Sequence, residues 1–110
     1  MDEVIEEIIS IPGVYSCSII SYDGIVIKSL SKTDMDEELL SALIAKIAKD
    51  VINKIEIKKN VLTTIKGSSG FALMVTKENF IVGVVTSSDV NIGDVKIKMK
   101  EGAKILEGIL

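Results

Sequence analysis

The sequence predicts an α/β (α+β) fold, a three-layer α/β/α sandwich around a five-stranded antiparallel sheet, and three observations predict it. Residues 13–30 read as two apolar strands joined at Asp23-Gly24, a pair suited to a two-residue hairpin turn because both central positions need φ > 0. Three more strands follow one another through short polar loops in the second half of the chain, and connections that short impose antiparallel pairing. Three other stretches carry helical periodicity, and strands apolar at both parities need helices on both faces.

Taken in order, residues 2–11 place Val4, Ile5, Ile8 and Ile9 at helical spacing, with Asp2 and Glu3 in the first turn, where the helix dipole favours acid. Pro12-Gly13 ends this helix. Val14 to Tyr22 and Ile25 to Leu30 form the hairpin, both reading as covered, interior strands. Asp34 with Glu37 has the outline of a capping box for the longest element, Met35 to about Ile55.

The apolar positions of this middle helix, Leu39, Leu40, Leu43, Ile44, Ile47, Ala48, Val51, Ile52 and Ile55, cover an arc of roughly 200°, about twice the stripe that sits on one sheet. A second protein, or another part of the same chain, has to cover the excess. Asn60 to Lys66 alternates in a way that suits an edge strand, and Phe71 to Thr76 follows it. Phe80 to Thr86 is nearly continuous apolar, as interior strands are, and Gly83 within it marks a close approach by a helix or another backbone. Val90 to Leu110 closes the chain as a helix, with Asn91 or Asp89 as N-cap and Ile92, Val95, Met99, Ala103, Leu106, Ile109 and Leu110 on one face. Ile97 and Ile105 fall off that face, either as surface aliphatics or against the first helix.

A chain of 110 residues reads as one domain over residues 1–110, able to bury roughly two thirds of its unfolded surface without a disulfide or metal staple. Net charge is −3 and Arg is absent, which argues against a nucleic-acid surface. The single Cys17 reads as a core residue, and one cysteine without metal-ligand spacing suits a reducing cytoplasm. The acidic N-terminus is unlike a signal peptide, and no apolar run reaches the ~18 residues of a membrane helix, so no membrane insertion is expected. Nineteen Ile and thirteen Lys fit either a hot habitat or AT-rich coding.

Chemistry is sparse. There is no His for acid/base work near neutral pH. Gly67-Ser68-Ser69-Gly70 leads into a strand, whereas a P-loop has Gly-Lys-Ser/Thr leading into a helix, so it reads as a hairpin loop. No enzyme, cofactor or metal site is expected.

Ile11-Pro12-Gly13-Val14, the strand after it, Tyr22-Asp23-Gly24-Ile25-Val26-Ile27, and Asn91-Ile92-Gly93 at the last helix resemble the Roadblock domain family. This is the profilin-like dynein light-chain fold shared with prokaryotic regulators of Ras-like GTPases. The resemblance spans essentially the whole chain, in the order helix-strand-strand-helix-strand-strand-strand-helix. It implies one sheet with the middle helix on one face and the terminal helices on the other. It also implies dimers formed through the middle helix and the strand after it. The implied function is a homodimeric, non-catalytic binding module that regulates or scaffolds a small Ras-like GTPase through its paired middle helices.

The expected interface combines the over-wide arc with that dimer habit: Ile44, Ala48, Val51 and Ile55 on the outward side of the helix, and Val61, Thr63 and Ile65 pairing across the two-fold. Leu39 and Leu43 exchange roles with Ile44 and Ile55 if the other flank faces the sheet. Two alternatives stand beside this reading. One is an assembly subunit without effect on a nucleotide cycle. The other is a small-ligand sensor, which needs a roomy polar cavity.

Overall fold

The computed structural model describes residues 1–32, 44–47, 49–50 and 61–110. Its elements are α1 (Asp2–Ile9), β1 (Val14–Ile20), β2 (Val26–Ser31), β3 (Val61–Lys66), β4 (Gly70–Thr76), β5 (Ile81–Ser87) and α2 (Ile92–Glu107), with residues 44–47 and 49–50 helical between β2 and β3. The five strands form one antiparallel sheet in the order β2-β1-β5-β4-β3. The hairpin and the three-stranded meander are therefore joined by the long-range pairing of β1 with β5.

Strand register assigns each core residue to a face. Cys17 pairs with Val84, Ile19 with Val82, Leu73 with Val84 and Val75 with Val82; these share one face and pack with Val4, Ile5 and Ile8 of α1 and Val95, Met99 and Leu106 of α2. Ile20, Met74 and Ile81 lie on the other face, beneath Ile44 and Ala45. A sheet buried on both sides by helices is the expected three-layer arrangement. Residue 102 shows how tightly the first face is closed. A Cβ there would come within 2.6 Å of Val4 Cγ1, so Gly102 lets α1 and α2 touch.

Several local readings shift. The first helix ends at Ile9, with Ser10 as C-cap, where Ile11 was expected. The hairpin closes with three residues in place of two: Gly24 N–H donates to Ser21 O at 3.0 Å, Ser21 N–H donates to Ile25 O at 2.9 Å, and Gly24 sits at φ 85°. This is the larger hairpin loop in which a tight turn is followed by a left-handed glycine. Tyr22 lies inside it and its hydroxyl donates to Lys77 O at 2.6 Å, tying this loop to the β4–β5 connection.

The largest correction concerns β2. Expected inside the sheet, it forms an outer edge, and Ile25, Ile27 and Leu30 are 66%, 40% and 43% exposed. Its apolar pattern matches β1, but only β1 also pairs with β5. An ion pair between Lys28 and Asp2 spans from β2 to α1, and hydrogen bonding to that ammonium holds the Asp2 carboxyl below the ordinary carboxylate range. Asn91 caps α2 by accepting from Asp94 N–H at 3.2 Å. Ile109 and Leu110, expected on its buried face, lie beyond the helix and are exposed, as are Ile97 and Ile105.

Candidate functional site

β3 is the opposite edge of the sheet, as its alternating sequence predicts. Among the described residues nothing pairs with its outer side. Val61 is held at its start, where its N–H donates to Thr76 Oγ1 and that hydroxyl donates to Val61 O, both at 3.3 Å. Burial then falls along the strand, from half-buried Val61, Leu62 and Thr63 to exposed Thr64, Ile65 and Lys66.

Register with β4 pairs Val61 with Thr76, Thr63 with Met74 and Ile65 with Ala72. The three residues expected at an interface therefore share the face of Met74, which is also the face that Ile44 covers. Ile65 is 39% exposed. It lines an apolar groove of about 470 Å³ with, among the described residues, Tyr15, Phe71, Ala72 and Val85. In general, open edge-strand backbone is a template on which another strand can pair, and an apolar groove beside it adds area to bury.

Tyr15 was not legible as part of this surface. It sits at the register shift between Val14 and Ser16, which breaks the alternation of β1 and leaves it 36% exposed between two buried neighbours. A bulge of this kind re-aims a side chain without a reliable mark in one sequence.

Ile44 requires a correction. Expected on the outward side of the middle helix, it is 4% exposed and packs with Ile20, Met74 and Ile81. The cause is Gly83. A Cβ at that position would lie 2.9 Å from Ile44 Cδ1, so the missing side chain makes the hole that Ile44 fills. The close approach expected at Gly83 is thus made by the middle helix. Ala45 is buried beside Ile44 and Ile47 is half-buried, while Lys46, Lys49 and Asp50 are exposed. Ala48, Val51 and Ile55 lie outside the described residues.

One thiol lies within the sheet. Cys17 is fully buried, and desolvation pushes its thiol up from 9.0 to about 12. The expected result is no reaction with a thiol-specific disulfide reagent at pH 8 until the chain is unfolded. Stability should also fall as pH rises from about 9 towards about 12, because the unfolded chain releases this proton first. Labelling at pH 8 with and without denaturant checks the first, and a denaturant titration across that higher pH range on the wild type and on Cys17→Ala checks the second. Among the described residues, no three His, Cys, Asp or Glu side chains gather to hold a metal ion, and no helix is long and apolar enough to cross a membrane.

No family model matches the chain. The uncharacterized protein MJ0714 of Methanocaldococcus jannaschii is 31% identical over 106 residues, 94% of this chain and 90% of that protein. Among solved structures, a Roadblock/LC7 domain from Streptomyces avermitilis superposes with a TM-score of 0.84 at 12% identity, covering 99% of this chain and 96% of that one. MglB of Myxococcus xanthus superposes with a TM-score of 0.85 at 15% identity, covering 97% and 91%.

Proposed function

The chain belongs to the same family as MJ0714 of Methanocaldococcus jannaschii and has the Roadblock/LC7 fold, and on that premise we propose that it is a non-catalytic, homodimeric platform for a small Ras-like GTPase in the cytoplasm. The observation that carries the reading is the open β3 edge with Ile65 on an apolar groove, on the same sheet face as the middle helix. Two such edges pair antiparallel about a two-fold, bringing Val61, Thr63 and Ile65 of both copies together and extending the sheet across the dimer.

The paired-helix contact follows from the position of Ile44. Because Ile44, with Ala45 and Ile47, packs against the sheet, the proposal takes the alternative contact that the sequence offers, Leu39 and Leu43. The exposed charges Lys46, Lys49 and Asp50 then border the surface offered to the GTPase.

The chain has no Arg, so it has no arginine finger to insert into a GTPase. Any acceleration of hydrolysis comes from ordering the switch loops and catalytic groups of the GTPase itself, a shift among conformations the GTPase already visits. The test uses purified Ras-like GTPases of the same genome, loaded with GDP or with a non-hydrolysable GTP analogue, and titrated with the intact protein. Binding to one loaded form by a factor of about ten or more over the other, with a changed single-turnover hydrolysis or exchange rate, is the expected result. Equal binding to both forms with unchanged rates would leave an assembly role without a nucleotide-cycle effect, and no binding would remove the GTPase reading.

A further inference from the structure

The opposite face of the sheet holds a second surface, independent of the GTPase reading. Between α2 and the strands β3 and β4 lies a cleft of about 480 Å³, lined among the described residues by Leu62, Val75, Lys77, Lys100, Lys104 and Glu107. Its floor is aliphatic, from half-buried Leu62 and buried Val75. Its rim is mainly cationic.

The lysines of this rim differ in what they do. Lys77 pairs with Glu107 at 2.6 Å, which shows a carboxylate seated at one end of the cleft. Lys98, nearby on the same helix, pairs with Glu101 at 3.8 Å. Lys100 and Lys104 are exposed and have no ion pair among the described residues. Standing four residues apart, they are neighbours along one helix face. Two uncompensated cations above an apolar floor, in a chain whose net charge is −3, select for acid next to an aliphatic group.

We propose that this cleft docks a short acidic segment of a partner protein. One aliphatic side chain of the segment enters over Leu62 and Val75, and its flanking carboxylates meet Lys100 and Lys104. Other occupants fit less well. The acidic helix α1 of a second copy has no anchor to offer, since Val4, Ile5, Ile8 and Ile9 are only 5%, 2%, 1% and 6% exposed. A free anion would gain nothing from the aliphatic floor. A lipid surface needs a protruding apolar face, whereas here the apolar residues lie at the bottom of a concavity with the Glu107 carboxylate at its rim.

The probe is a fluorescein-labelled peptide, Gly-Glu-Glu-Leu-Glu-Glu-Gly, titrated with the full chain at low salt and read by anisotropy. The expected result is binding that weakens at least about fivefold in Lys100→Gln/Lys104→Gln and falls with added salt. It should weaken similarly when the probe's Leu is replaced by Ser, a change that leaves the protein untouched. Lys28→Gln/Lys32→Gln removes the same charge from exposed sites at the far edge of the sheet and should leave binding unchanged. Three results would overturn the proposal: no probe binding, equal weakening by both lysine pairs, or indifference to the Leu-to-Ser change. Phosphatidylserine vesicles that bind through Lys100 and Lys104 while the peptide does not would overturn it in favour of a membrane surface.

Discussion

Ile44→Asp is expected to unfold the chain. Ile44 is 4% exposed and its neighbours are Ile20, Met74, Ile81 and Ala45, an apolar cluster that among the described residues holds no charge to meet a carboxylate. Removing a buried isoleucine costs about 2–4 kcal/mol through lost transfer energy and the cavity left behind. Burying a carboxylate, or protonating it to avoid that, adds several kcal/mol more. The sum is comparable with the whole stability of a small domain, about 5–15 kcal/mol. Circular dichroism and denaturant titration should show no folded baseline, while Ile44→Ala should fold with about 2–4 kcal/mol less stability.

The same contact predicts a coupling. Gly83→Ala puts a Cβ 2.9 Å from Ile44 Cδ1. Ile44→Val removes that methyl, so Gly83→Ala should cost less in the valine background than in the wild type. Strictly additive costs would mean that the helix does not approach the sheet at Gly83.

Ile65→Glu is expected to do the reverse, separating two chains without unfolding either. Ile65 is 39% exposed near the open end of an edge strand, so the substitution leaves the core of the single chain intact. In the proposed dimer, each new carboxylate replaces an apolar side chain at the pairing edge beside the apolar groove. Burying an unpaired charge on each side of a contact that had been apolar should weaken association by about 3 kcal/mol or more, over a hundredfold in dissociation constant. The thermal transition measured at a concentration where the wild type is also dissociated should change little.

The strands were legible because their residues report burial directly. β5 reads as nearly continuous apolar and is buried on both faces, and β3 alternates and lies at an edge. β2 was misread because Val26, Ile27 and Leu30 look like interior residues, and only the distant pairing of β1 with β5 decides which strand of the hairpin is central. Local chemistry was legible where one side chain sets the geometry, as with Asn91 as N-cap of α2. The turn at Asp23-Gly24 was placed correctly, but its size was not, because a glycine at φ > 0 serves two- and three-residue loops alike.

The candidate site was half legible. The edge strand with Val61, Thr63 and Ile65 could be read from alternation, whereas the orientation of the middle helix could not. Its apolar residues cover too wide an arc for one flank to declare itself. Gly83 held the answer, because a gap in β5 has to be filled by the nearest large side chain, and that side chain is Ile44. Tyr15 entered the groove only through a break in register that alternation does not foresee.

The most direct test of the account is the solution mass by light scattering on a sizing column, over a dilution series of the wild type and Ile65→Glu. The mass of two chains, about 24 kDa from a chain of 11.9 kDa, is predicted to persist in the wild type and to fall to one chain in the variant. A wild-type protein that stays at the mass of one chain at all concentrations would contradict the dimeric platform, and with it the surface proposed for the GTPase.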